Sequence, residues 1–241
     1  MNQDMGNSGP TNAGDAQIKG NCDMISSLKS SCLEKFYAFF DTTGKERLGG
    51  LDRSYFDGIS EADRQEAWHF LVDDFARSPD AITGLYLLDN AKSVALFKAE
   101  IDAPMPTTPF SALRRMLESN RLLMLKYINK HDPDPTYINA VNVFANSEFE
   151  EIRGEFARAV PVAPVTRGVV DALKRMIFTE TECIPITSAI TKLMVIHGMD
   201  FDRHDPVYKS IFNALRSNDL NDKIAGMTRL QQQHTLDYLD E

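Results

Sequence analysis

Four possible metal ligands lie within six residues in the stretch GMDFDRHDP, which carries Asp200, Asp202, His204 and Asp205. Closely spaced oxygen and nitrogen donors of this kind could hold a divalent cation. An EF-hand would need a longer loop, with a glycine at its bend and a terminal glutamate, and the stretch has neither. We therefore interpret it as a polar loop that ends in a helix cap, and we expect no metal site.

The tripeptide His-Asp-Pro occurs twice, and each copy lies beside an Asp-Pro-x-Tyr sequence, at Asp134–Tyr137 and at Asp205–Tyr208. Either a repeated active site or a repeated helix start could produce this pattern. An aspartate followed by proline suits a helix N-terminus, because the carboxylate accepts from free amides and proline tolerates the first helical position. The apolar periodicity after each copy favours the helix start.

Motifs of common enzyme classes are missing from the sequence. It contains no HExxH, no GxSxG, no P-loop and no dinucleotide-binding fingerprint. We therefore expect no catalytic residue and no cofactor, although a catalytic group placed on a helical scaffold would escape this kind of analysis.

The composition is that of a globular, acidic protein. Of 241 residues, 43% are hydrophobic, and 35 acidic residues against 26 basic residues give a net charge of −9. A surface of this sign repels phosphate backbones and attracts basic partners. The charge disfavours nucleic-acid binding, including the activity of helical-repeat DNA glycosylases, which need a basic concave face.

Two features bear on location. No apolar run approaches the roughly 20 residues that span a bilayer, and no signal-peptide pattern begins the chain. The three cysteines form no CxxC and no even framework. We therefore expect no membrane association and a cytoplasmic protein.

Nearly every segment after residue 23 has helical periodicity, and strand signals are scarce. The two Asp-Pro-x-Tyr starts are separated by about two units of 35 residues, and helix pairs at such a period are typical of α-solenoids. The chain resembles HEAT-like proteins in this respect. We predict an all-α fold of about 10–12 helices in a right-handed α-solenoid-like array of antiparallel pairs. We expect residues 1–23 to form a disordered polar tail, 24–104 an N-terminal helical region and 105–241 the repeats, with all but the tail packed as one domain.

Acidic residues concentrate in two stretches. The first acidic cluster, between Asp57 and Asp89, has eight acidic residues against Arg64 and Arg77, and aromatic side chains lie within it. The second acidic cluster comprises Glu148, Glu150, Glu151 and Glu155. Solvated helix faces produce such clusters too, but an extended negative surface with aromatic anchors suits a cationic partner. The predicted partner-binding residues are Asp57, Glu61, Asp63, Glu66, Trp68, Asp73, Asp74, Tyr86, Glu148, Glu150, Glu151 and Glu155.

The chain resembles the immunity proteins that neutralise bacterial antagonistic toxins in its acidity, its all-helical repeats and its lack of catalytic motifs. The resemblance is one of type, without a specific motif, and it implies inhibition by stoichiometric binding to a basic toxin domain. Two alternatives are an intracellular helical-repeat scaffold or adaptor, whose groove holds a peptide, and a translocated effector whose polar tail serves export.

Overall fold

The computed structural model describes residues 31–43, 47, 49–202 and 204–239. Within these ranges the chain forms eleven α-helices and two short 3-10 helices. Strand pairing among the described residues is limited to an isolated bridge between Val165 and Tyr238. The prediction of an all-α fold is confirmed, whereas the predicted tail, 1–23, lies outside the described residues.

The helices follow one another with short connections. In chain order they are α1 (Ser31–Asp41), η1 (Arg53–Tyr55), α2 (Glu61–Val72), α3 (Pro79–Leu88), α4 (Asn90–Asp102), α5 (Ser111–His131), α6 (Pro135–Ala140), η2 (Val141–Asn146), α7 (Glu150–Ala159), α8 (Arg167–Thr179), α9 (Cys183–Ile196), α10 (Pro206–Arg216) and α11 (Leu220–Gln231).

The chain divides into two compact units, residues 1–67 and 68–241. The division falls within α2. The boundary that the sequence suggests at residue 104 lies inside the second unit, between α4 and α5.

Aromatic side chains form much of the interior of the first unit. The ring of Phe36 lies 5.7 Å from that of Phe56, and the ring of Phe39 lies 5.5 Å from that of Tyr55. Phe36, Phe39 and Phe56 are buried. These contacts join α1 to the glycine-containing segment around η1.

Local capping chemistry begins several helices. Ser78 accepts from the amide of Ala81 at α3, Asp134 accepts from that of Thr136 at α6, and Asp205 accepts from that of Val207 at α10. A proline follows each cap, so both Asp-Pro-x-Tyr copies do begin helices. Thr108-Pro109 has the same pattern of a capping residue followed by proline, which predicts a helix start there, but α5 begins at Ser111 and has no side-chain cap.

In the second unit, α5 is a central helix. It contacts α3, α4, α6, η2 and α7, and its residues Leu122, Met124 and Leu125 are buried. Alternate helices also touch, since α3 contacts α5, α5 contacts α7 and α7 contacts α9. The last two of these contacts place α7 beside both α5 and α9, and the candidate site lies there.

Candidate functional site

In the first unit, Asp57, Glu61 and Glu66 are exposed and Asp63 is half-buried. Glu66 accepts a hydrogen bond from the hydroxyl of Tyr37 at 2.9 Å. Partial burial and this bond to an anion raise the pKa of Tyr37 to about 12. An Oε2 of Glu61 lies 3.9 Å from the Nε of Arg64 in the same helix. Two of the four predicted carboxylates are therefore engaged within the unit.

The two aromatic residues predicted as anchors pack inside the second unit. Trp68 is only 9% exposed, and the Nζ of Lys92 lies 4.0 Å from its ring centroid. Tyr86 is half-buried and stacks on Tyr127 with centroids 4.2 Å apart. Both rings contribute to packing, so little of Trp68 is accessible to a partner.

Asp73 and Asp74 follow the last turn of α2, and both are exposed. Among the residues that the structure describes, neither forms an ion pair. They differ in this from most members of the second acidic cluster.

The second acidic cluster is largely paired with α5. Glu148 forms an ion pair with Arg114, and an Oε1 of Glu151 lies 3.2 Å from an Nη1 of Arg115. Glu155 accepts from the hydroxyl of Ser119 at 2.8 Å. Glu150, in the first turn of α7, is half-buried. The charge of this cluster is therefore partly offset by the neighbouring helix.

Two adjoining cavities lie where α5, α7 and α9 meet, and we call this region the basic groove. The cavities have volumes of about 220 and 240 Å³, and Arg158 lines both. The first is lined by Ser119, Leu122, Leu123, Lys126, Glu155, Arg158 and Ala159, and the second by Arg158, Thr187, Ser188, Thr191, Lys192 and Val195.

Lys192 is the most perturbed group of the basic groove. Its Nζ donates to the carbonyl oxygen of Val160 at 2.5 Å, and its side chain is half-buried. Burial and, secondarily, the positive charge of Lys126 lower the pKa of Lys192 to about 8. The ammonium group therefore has a backbone partner but forms no ion pair with a carboxylate among the described residues.

Sequence reasoning missed the basic groove, although a signal was present. Lys126, Arg158 and Lys192 recur at intervals of about 33 residues, close to one helix-pair unit. In a stack of helix pairs, residues at this interval occupy equivalent positions on alternate helices. Searching the sequence for like charges at the repeat period would have found all three.

The GMDFDRHDP stretch behaves as a turn. The carboxylate of Asp202 accepts from the amide of His204 at 2.7 Å, and that of Asp205 caps α10. In the described part of the chain, no three or more His, Cys, Asp or Glu side chains come together as a metal site would require.

The length and hydropathy of a helix determine whether it can cross a membrane. No helix in the described ranges combines the length and the apolar character that crossing a bilayer demands.

Comparisons with known proteins add no relative to these observations. No protein-family model, no curated protein and no solved structure matches the chain.

Proposed function

We propose that the protein is a binding protein built on helical repeats, and that it neutralises a basic toxin domain in the cytoplasm by stoichiometric binding. The proposed architecture is a right-handed, HEAT-like α-solenoid of antiparallel helix pairs. Contacts of α3 with α5, α5 with α7 and α7 with α9 support this arrangement, because alternate helices of a solenoid stack on one another.

The observation that carries the proposal is the exposure of Asp73 and Asp74. Neither carboxylate has an ion-pair partner among the described residues, and the whole chain carries a net charge of −9. Unpaired carboxylates on an acidic protein accelerate encounter with a cationic partner. The second acidic cluster supports the proposal less, since α5 already pairs most of it.

The test compares the wild-type protein with the double variant Asp73→Lys/Asp74→Lys. A matched control, Asp200→Lys/Asp237→Lys, makes the same change of charge at two exposed carboxylates elsewhere. Each tagged protein is used to capture partners from its native lysate at low and at high salt. We expect one basic protein, captured at stoichiometric yield by wild type and control, lost by the variant and weakened by salt.

Cell protection provides the second half of this test. Expression of the captured protein alone should arrest growth, and co-expression of the wild-type chain should relieve the arrest. Neutralisation would be contradicted if several proteins were captured with similar weak yields. It would also be contradicted if expression of the captured protein alone did not arrest growth.

A helical-repeat adaptor is the second candidate function. The basic groove favours it, because a groove across stacked helices is a common place for a peptide to bind. An adaptor should capture several partners, and their capture should depend on the basic groove rather than on Asp73 and Asp74.

A further inference from the structure

Three cations of the basic groove differ from most of the other cations on α5 and α7. Arg114, Arg115 and Arg153, which lie on α5 and α7, each pair with a glutamate. Lys126, Arg158 and Lys192 form no ion pair among the described residues; Arg158 instead donates to the hydroxyl of Ser188 at 3.4 Å. The lining of the groove also includes the carboxylate of Glu155, which accepts from Ser119. Three cations against this one carboxylate leave the lining with a net positive charge.

The burial of Lys192 makes the positive charge of the groove energetically significant. A half-buried ammonium group costs free energy unless an opposite charge compensates it. Within the described ranges, its hydrogen-bond partner is the neutral carbonyl of Val160. An anion bound between Lys126 and Lys192 would relieve their mutual repulsion and supply that compensation.

The shape and lining of the groove indicate more than a simple anion site. Leu122, Leu123 and Ala159 line one cavity, and Val195 contributes to the other. Thr187, Ser188 and Thr191 add hydroxyl groups that can bond to a peptide backbone. A ligand that fills both cavities must therefore combine negative charge with apolar groups.

We propose that the basic groove binds an extended, carboxylate-bearing segment of a partner protein. Its acidic side chains lie at Lys126, Arg158 and Lys192, and its apolar side chains enter the two cavities. Packed helices lie about 8–10 Å apart, so crossing from α5 to α9 takes roughly 20 Å. An extended chain covers this distance with about six residues. This inference goes beyond the proposed function, because the ligand is acidic and the surface is a different one.

Charge favours a peptide over a nucleic acid. Three cations are fewer than the 6–10 phosphate contacts, roughly, that DNA-binding proteins make. The net charge of −9 would repel a long polyanion, whereas a short acidic segment meets mainly the local potential of the groove.

The experiment is a selection from a random peptide library displayed on phage, with the full-length protein as bait. Parallel selections use the double variants Lys126→Ala/Arg158→Ala and Lys126→Glu/Arg158→Glu. Lys126 and Arg158 are exposed, so these changes leave the core intact, and circular dichroism checks the fold. The control is Lys209→Ala, which removes an exposed cation from α10, outside the groove.

We expect the wild-type protein and the Lys209→Ala control to enrich peptides that carry Asp or Glu beside Leu, Ile or Val. Synthetic copies of these peptides should bind the alanine double variant at least about tenfold more weakly. The glutamate double variant should instead enrich basic peptides. The Asp73→Lys/Asp74→Lys variant should bind the acidic peptides at least as well as wild type, which separates this result from that of the proposed function.

Three outcomes would overturn the inference. In the first, the wild-type protein enriches no peptides relative to the glutamate double variant. In the second, the peptides that the wild-type protein enriches carry no acidic residues. The third is equal binding of the enriched peptides to the wild-type protein and the alanine double variant. If a single-stranded oligonucleotide displaces the peptides and itself requires Lys126 and Arg158, the groove serves nucleic acid and the assignment to a peptide is wrong.

Discussion

Arg153 on α7 and Glu180 at the end of α8 form a bidentate ion pair. The Nε and Nη2 of Arg153 lie 2.6 and 3.3 Å from the two carboxylate oxygens of Glu180. Arg153 also donates to the carbonyl of Ser147, and Glu180 accepts from the amides of Thr181 and Glu182. The pair thus joins two helices and a loop, and both side chains are mostly buried.

We expect Glu180→Gln to lower the free energy of unfolding by about 2 kcal/mol, because it leaves a mostly buried guanidinium group without its counter-charge. Urea unfolding at neutral pH measures this loss. The control is Glu151→Gln, which breaks the exposed pair with Arg115 and should cost less than about 1 kcal/mol. Equal losses in the two variants would contradict a special role for the Arg153–Glu180 pair.

The contribution of Glu180 should also depend on pH. Burial by itself raises the pKa of Glu180, but the hydrogen bonds from Arg153 and from two backbone amides outweigh it and lower the pKa below 4.5. The stabilisation is therefore complete above pH 4.5 and is lost as the pH falls through the lowered pKa of the folded state. Wild type and Glu180→Gln should converge in stability there, and a constant difference down to low pH would rule this out.

The buried side chain of His197 should make the stability of the protein depend on pH in a second range. The side chain is 4% exposed, its Nδ1 lies 3.0 Å from the carbonyl oxygen of His234, and its Nε2 has no hydrogen-bond partner among the described residues. Burial lowers the pKa of His197, Lys174 and His234 lower it further, and the bond to the His234 carbonyl opposes them. The folded state therefore prefers the neutral ring.

The sign of the effect follows from this preference. The stabilisation from a neutral His197 is complete above pH 6.5 and declines as the pH falls through 6.5 towards the lower pKa of the folded state. Urea unfolding between pH 7.5 and 5.5, values chosen roughly to bracket this range, should show a loss of stability that His197→Asn reduces. The control His131→Asn changes an exposed histidine and should keep the wild-type slope.

Lys126 and Lys192 are coupled through their charges. Since the charge of Lys126 helps to lower the pKa of Lys192, Lys126→Ala should raise that pKa from about 8. The expected rise is up to about half a pH unit, the size of one screened charge. NMR titration of the lysine side chains measures it, and Lys209→Ala should leave the Lys192 titration unchanged. An unchanged titration in Lys126→Ala would show that the two cations do not share a site.

Two helical glycines should respond in opposite directions to alanine. A Cβ at Gly226 would lie 3.0 Å from the Cβ of Ala214 and 3.2 Å from the backbone nitrogen of Leu215. Gly226→Ala should therefore cost about 1–3 kcal/mol, although alanine is normally the better helix former. A Cβ at Gly154 would lie 3.1 Å from the Cγ2 methyl group of Ile184, a side chain that is 50% exposed and has room to shift. Gly154→Ala should be neutral or stabilise by up to about 1 kcal/mol, and thermal unfolding of both variants tests the contrast.

Short-range chemistry explains what the sequence predicts well. The caps at Ser78, Asp134 and Asp205 act on amides two or three residues away, so the residue order alone determines them. Apolar periodicity likewise determines which face of a helix is buried, as at Leu122 and Leu125. The same reasoning misplaced the start of α5, where Thr108 bonds to the amide of Phe110 and the helix begins later.

Charge pairing between helices depends on tertiary structure. From the sequence, Glu148, Glu151 and Glu155 form an acidic cluster, but packing places Arg114, Arg115 and Ser119 beside them. These partners are about one repeat unit away along the chain, and only the relative position of α5 and α7 brings them together.

The all-α fold and the helix starts capped by Ser78, Asp134 and Asp205 were thus determined by the sequence itself, because capping and periodicity operate within a few residues. The tertiary structure alone decided which charges are compensated and which remain. Among the described residues it left Asp73 and Asp74 without an ion pair, and it gathered Lys126, Arg158 and Lys192 into one groove, because the electrostatic energy of a side chain depends on its neighbours in space.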